Sequence, residues 1–108
     1  MAAKVNLLMD QAASFSSTFT ILDINGIPID FTTYTATSQM RKSYTSLTAY
    51  TFSANGNSNG QITLTMNANT TNSISAGRYV YDVEVIDSNG IKSRIAEGLI
   101  TVTPQVTR

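Results

Sequence analysis

Arg78-Tyr79-Val80-Tyr81-Asp82-Val83-Glu84-Val85-Ile86-Asp87, then Ser88-Asn89-Gly90, then the return through Ile91, Ile95, Leu99, Ile100 and Val102 to Thr103, is the stretch that decides the fold. Its first half is dense in β-branched and aromatic residues, and a short polar break separates it from a second apolar run. It therefore reads as two long antiparallel strands joined by a tight turn. Asp-Ser-Asn-Gly suits a type I turn whose Gly90 sits at positive φ, a conformation that costs glycine nothing. This three-residue loop sets Asp87 against Ile91 and, counting outward, Glu84 against Arg94, an attractive pair. A two-residue Asn89-Gly90 turn would instead set Asp82 against Glu97, like charge against like, so the three-residue loop is expected.

The same turn chemistry occurs earlier, at Asp23-Ile24-Asn25-Gly26-Ile27, after a segment in which Phe15, Phe19 and Ile21 alternate with Ser16, Thr18 and Thr20. That period-2 pattern marks a strand with one buried face, so two similar strands end in two similar turns. Between them, Pro28-Ile29-Asp30-Phe31 reads as a short extended piece at a sheet edge, because proline cannot donate to a ladder. Residues 34–44 read as a strand with Tyr34, Ala36, Ser38 and Met40 inward and Thr35, Thr37, Gln39 and Arg41 outward. Residues 49–54 and 61–66 read as a hairpin whose polar tip, Asn55 to Gly60, is loose. Val5 to Met9 reads as a short edge strand, with Lys4 and Asn6 discouraging strand addition. Residues 67–77 break the strand pattern and fit one helical turn, capped by Asn69 or Thr70 and closed by Gly77.

At 108 residues the chain is long enough for one core and too short for two. The expected architecture is a single all-β domain over 1–108: an immunoglobulin-like antiparallel β-sandwich of about seven strands with one short helical turn, and 104–108 as a C-terminal tail. Seven Lys and Arg balance seven Asp and Glu, so no net field draws in nucleic acid or an anionic membrane, and neither is an expected partner. No apolar run approaches the roughly 20 residues of a membrane helix, and Asn6 and Asp10 interrupt the N-terminal segment too early for a signal peptide. The chain contains neither cysteine nor histidine, which removes thiol chemistry, the commonest general base and the commonest transition-metal ligand.

Chemistry is correspondingly sparse. Asp82 and Glu84 share a strand face about 7 Å apart, a spacing used by paired carboxylates in glycoside hydrolysis, but nothing nearby in sequence supplies a pocket or a sugar platform. Lys4, Lys42 and Lys92 lie in no nucleophile motif. Asp23, Asn25, Asp87 and Asn89 belong to turns and lack the closing glutamate of a calcium loop. Tyr34, Tyr44, Tyr50, Tyr79 and Tyr81 could form a carbohydrate face if exposed, but Tyr79 and Tyr81 share their face with Val83 and Val85 and are expected in the core. Asn69-Thr70-Thr71 is an N-glycosylation acceptor pattern, relevant only to a chain secreted by a eukaryote. The expectation is no enzyme, no catalytic or metal residues and no cofactor.

The order of a strand, Asp-x-Asn-Gly, then Pro28-Ile29-Asp30-Phe31-Thr32-Thr33-Tyr34 and Gln39-Met40-Arg41-Lys42 resembles small immunoglobulin-like virion proteins of tailed phages, including N-terminal domains of baseplate and tail-fibre adaptors. The second half, Thr70-Thr71, Ser75-Ala76-Gly77-Arg78-Tyr79-Val80-Tyr81-Asp82 and Glu97-Gly98-Leu99-Ile100-Thr101-Val102-Thr103-Pro104-Gln105-Val106-Thr107, is similar to the ending of the same group, particularly in marine phages. Phe31 and Thr33 depart from the leucine and glycine usual there. The resemblance carries no catalytic residue. It implies a structural or adaptor protein of the tail, baseplate or neck that assembles with other virion proteins and as a homo-oligomer, in a virion put together in the host cytoplasm. A capsid decoration protein and a carbohydrate-binding host-attachment module are the rival readings. Met1 to Met9, Asn55 to Gly60 and the tail after Pro104 are the expected contacts, because unpaired edges and termini gain most from ordering against a neighbour.

Overall fold

A computed structural model describes residues 3–106. Eight strands and one short helix follow in order: β1 (Ala3–Lys4), β2 (Leu7–Asp10), β3 (Phe15–Thr20), β4 (Thr35–Arg41), β5 (Ala49–Gly56), β6 (Gln61–Met66), α1 (Ala68–Asn72), β7 (Gly77–Ile86) and β8 (Lys92–Thr103). The order across the sheet is β1-β8-β7-β4-β5-β6-β3, with β2 also on β8. β5 is the corner: Ala49 to Phe52 pair with β4, whereas Ser53 to Gly56 pair with β6. The chain therefore folds over on itself at β5 into an immunoglobulin-like β-sandwich, with β3, β6 and the end of β5 facing the other strands. Met40, Phe52, Ile62, Leu64, Val83, Ala96 and Ile100 are buried between the layers, as the alternation along each strand requires.

The expected sandwich is present with two differences. All pairings of β3 to β8 with one another are antiparallel, but β1 and β2 run parallel to β8, with Ala3 against Ala96 and Leu7 against Ile100. The step between them occurs at Val5-Asn6, opposite Gly98-Leu99. There the Asn6 side-chain oxygen accepts the Leu99 N–H at 3.1 Å, and the Val5 carbonyl accepts the Tyr81 hydroxyl at 2.6 Å. Gly98 makes the approach possible, since a Cβ at that position would overlap the Val5 carbonyl. The N-terminal segment is thus built into the sheet, with Met9 buried, and is not a free contact; Met1 and Ala2 lie outside the described residues.

The second difference is a β-bulge in the central hairpin. The three-residue loop is as expected: the Asp87 N–H donates to the Ile91 carbonyl and the Gly90 N–H to the Asp87 carbonyl, both at 3.0 Å, with Gly90 at φ 81°. Glu84 stands opposite Arg94. The register then shifts by one at Ile95, so Asp82 also stands opposite Glu97. Both cross-strand pairs coexist, and the like-charge contact is relieved by Arg94, whose guanidinium lies 3.3 Å from Asp82 and 3.9 Å from Glu97.

The helix is shorter than 67–77. Its cap is Asn67, whose side chain accepts the Thr70 N–H at 2.9 Å, and it ends at Ser73 while Gly77 opens β7. Thr71, within the glycosylation pattern, is buried and donates to the Ala13 carbonyl at 2.8 Å, tying the helix to the β2–β3 connection. Just beyond, the Tyr79 hydroxyl donates to the Ser75 carbonyl at 2.8 Å, the corner bond that recurs in immunoglobulin-like sandwiches.

Candidate functional site

Strand directions bring three turns to one end of the sandwich: those after β3, between β5 and β6, and between β7 and β8. All three have one geometry. In the first, the Asp23 N–H donates to the Ile27 carbonyl at 2.8 Å, while Asp23 Oδ1 accepts the N–H groups of Asn25 and Ile27 at 2.8 and 3.0 Å. In the third, Asp87 Oδ1 accepts from Asn89 and Ile91, both at 2.9 Å. The middle turn, Asn57-Ser58-Asn59-Gly60-Gln61, repeats this with an amide in place of the carboxylate: Asn57 Oδ1 accepts from Asn59 at 2.9 Å and Gln61 at 3.1 Å. Gly26, Gly60 and Gly90 lie at φ 76°, 76° and 81°. Asn55 to Gly60 is therefore no loose tip. It locks the end together, because the Gly60 carbonyl accepts the Ile21 N–H at 2.8 Å and the Asn57 carbonyl accepts the Phe31 N–H at 3.0 Å.

These rigid turns hold apolar side chains out into solvent: Leu22, Ile27 and Ile91 are more than half exposed, and Ile24 is fully exposed. Beside them a groove of about 540 Å³ runs between the first turn and the hairpin, with Ile21, Ile29, Phe31, Tyr34, Val85 and Ile95 among its walls. Ile24 has an internal control. The equivalent positions in the other two turns are Ser58 and Ser88, so the turn itself does not call for an apolar residue there. The same end carries Asp23, Asp30 and Asp87. The hydrogen bonds from the Thr32 N–H and hydroxyl, at 3.0 and 2.7 Å, hold the Asp30 carboxyl below its ordinary range.

The other sequence candidates fall elsewhere. Asp82 and Glu84 share the outer face of the β4-β7-β8 layer, in a shallow open groove of about 270 Å³ rimmed by Gln39, Arg41, Tyr44 and Arg94. Desolvation, with Glu84 and Glu97 adding repulsion, pushes the Asp82 carboxyl up, while Arg94 and Arg41 pull it down. The groove brings the two carboxylates together but encloses nothing, and Arg94 already pairs with Asp82. Lys4 lies 3.7 Å from Glu97, and Lys42 sits 4.9 Å above the Tyr79 ring in a cleft it shares with Ser46, Thr48 and Ser75. Asp23 and Asp87 each commit Oδ1 to two turn N–H groups, and no group of His, Cys, Asp and Glu suited to a metal occurs among the described residues. Tyr79 and Tyr81 are buried, Tyr50 and Tyr34 pack edge-on against Tyr79 and Phe31, and Tyr44 alone is largely exposed. These tyrosines form no platform on which a sugar could stack.

No family model matches the sequence, nor does any curated protein. Among solved structures, an internalin-like protein of Listeria monocytogenes aligns over 94% of this chain with a TM-score of 0.49 and 16% identity. The CopC protein of Methylosinus trichosporium OB3b aligns over 94% with a TM-score of 0.47 and 16% identity, covering 89% of that protein. A family 123 glycoside hydrolase of Clostridium perfringens aligns over 97% with a TM-score of 0.44 and 10% identity. The chain spans 28% of the internalin-like protein and 24% of the hydrolase.

Proposed function

We propose that this chain is a non-catalytic assembly module, a structural or adaptor component of a phage virion placed in the tail, baseplate or neck, working through contacts with other virion proteins. The observation that carries the assembly reading is Ile24. A fully exposed isoleucine on a turn whose two counterparts bear serine buries nothing within the fold, and rigid turns offering apolar side chains suit protein recognition, where preorganisation lowers the cost of binding. Assignment to a virion rests on the resemblance of residues 28–42 and 70–107 to phage virion domains. A glycan-binding attachment module is less well supported, because four of the five tyrosines are buried or half-buried.

The test is to mix the purified chain with the other structural proteins of its particle and follow complex formation by light scattering, with Ile24→Ser alongside. Complex formation by the parent chain and its loss in the variant, at unchanged thermal unfolding, is the expected result. Saturable binding of a defined glycan by a chain that stays monomeric in every mixture would replace the assembly reading.

A further inference from the structure

The chain is neutral, yet its charges are sorted along its 45 Å long axis. At the three-turn end stand Asp23, Asp30 and Asp87 against Lys92 and Arg94, the last in the wall of the groove beside Ile24. At the opposite end, where β4 and β8 finish and β7 begins, stand Arg41, Lys42 and Arg78 against Asp10. One end thus carries a net −1 and the other +2 among the described residues. Exposed apolar side chains gather at both ends, with Leu22, Ile24, Ile27 and Ile91 at the first and Tyr44, Leu47 and Val106 at the second, while Leu8 and Leu99 are exposed on β2 and β8. The second end is also ordered. Arg41 donates to the Ser46 carbonyl at 2.6 Å and fixes the loop that holds Leu47 in solvent at 99% exposure. Beside that loop a cleft of about 360 Å³ opens, with Tyr50 and Tyr79 in its walls and Lys42 and Ser46 at its rim.

From this we infer that the partner of the three-turn end is the opposite end of a second copy: Ile24 enters the cleft beside Lys42, and the Asp23, Asp30 and Asp87 carboxylates face Lys42 and Arg78. The inference rests on the assembly reading and names a partner for the same site. Two unlike surfaces in contact make a heterologous interface, which repeats into a ring or a filament and does not stop at a dimer. The cross-section of 27 × 20 Å limits the contact to roughly 500 Å² a side, below the roughly 800 Å² per partner of a standard stable interface. Isolated copies therefore associate weakly, and stacking becomes firm only where a scaffold holds many copies in line. Opposite charges at the two ends make the association sensitive to salt.

The turns supply variants that spare the fold. Asn57 shows that an amide makes the same two turn hydrogen bonds, so Asp23→Asn and Asp87→Asn remove charge and keep geometry. Combined with Ile24→Ser they silence the first end, while Leu47→Ser with Arg78→Glu silences the second. Sedimentation of the parent chain up to about millimolar protein, a range suited to a contact this small, should show average mass rising with concentration beyond the dimer and falling between low and high salt. Each variant alone should sediment as a monomer, and an equimolar mixture of the two should give a 1:1 dimer that grows no further. A parent chain that stays monomeric, one that stops at a dimer while the mixed variants remain apart, or variants that associate like the parent would each overturn the head-to-tail contact. If self-association is absent but Ile24→Ser still abolishes binding to another protein of the particle, assembly stands and only the partner named here falls. If Ile24→Ser changes neither, both fall.

Discussion

Substituting alanine at each turn glycine in parallel separates two costs that are usually confounded. Gly26, Gly60 and Gly90 share one backbone conformation, at φ 76°, 76° and 81°, in turns with the same hydrogen bonds. An L-residue in that region costs roughly 1 to 2 kcal/mol, offset in part by the reduced freedom of the unfolded chain, which leaves about 1 kcal/mol of destabilisation. At Gly26 and Gly90 a Cβ meets nothing within 4 Å, so that is the whole effect. At Gly60 the Cβ falls 2.8 Å from the Ile21 carbonyl oxygen, 2.9 Å from Pro28 Cβ and 3.0 Å from the Ile29 nitrogen. Two of these atoms are backbone, so the 21–29 segment has to shift and its bond from Ile21 N–H to the Gly60 carbonyl stretches. Overpacking of this kind adds about 1 to 3 kcal/mol. Urea unfolding should therefore place Gly26→Ala and Gly90→Ala together, about 1 kcal/mol below the parent, and Gly60→Ala a further 1 to 3 kcal/mol lower. In thermal unfolding each kcal/mol is worth roughly 4 to 8 °C for a domain of this size. Three equal losses would refute the packing of the middle turn against the first, and no loss at Gly26 or Gly90 would refute the positive φ.

Burial pushes the Tyr81 hydroxyl up to about 12 from an ordinary 10. The folded chain therefore holds that proton more tightly than the unfolded one, and the resulting stability is present below pH 10 and lost as pH rises towards 12. Melting temperature should fall more steeply across that interval in the parent than in Tyr81→Phe, and parallel curves would contradict it. Gly98→Ala should cost upwards of about 2 kcal/mol, because its Cβ displaces the Val5 carbonyl and loosens β1 from β8; amide exchange near Val5 would report that loosening, and unchanged protection would refute the close approach. Ala12, a non-glycine residue at φ 65°, should tolerate Ala12→Gly with a gain of up to about 1 kcal/mol in urea unfolding. Asp82→Asn should raise stability at neutral pH by a few tenths of a kcal/mol, the scale of screened surface charges. The folded chain binds the Asp82 proton more tightly than the unfolded one, so its ionisation works against folding at neutral pH, and the gain should vanish as pH falls below the carboxylate range.

The strands were legible because each buries one face, so the alternation of Phe15, Phe19 and Ile21, or of Tyr79, Tyr81, Val83 and Val85, is imposed by the pleat itself. The bulge left a trace that strand counting from the turn overlooks. Inward residues along β8 are Ala96, Ile100 and Val102, all even, whereas the hairpin register near Ile91 and Ser93 runs on odd positions. The adjacent pair Ile95-Ala96 is where the parity changes. Parallel pairing of β1 and β2 with β8 had no comparable trace, because it joins residues more than ninety positions apart and no local turn announces it. The Asn57 turn was legible in principle, but asparagine in the first position disguised a carbonyl oxygen doing the same work as that of Asp23 and Asp87.

The candidate site was hidden for a different reason. A net charge of zero discourages any electrostatic argument, and it is the directions of β4, β7 and β8 that convert a balanced composition into ends of opposite sign. Ile24 shows the same limit at a single residue. In the sequence it is one apolar position among many and fits the start of a strand as well as a turn. Only when three turns superpose in hydrogen bonding does its serine counterpart at 58 and 88 show that the turn does not call for an apolar residue there. That contrast with two internal copies of its own turn, at full exposure and next to Asp23, is what supports the proposed contact of Ile24 with a partner.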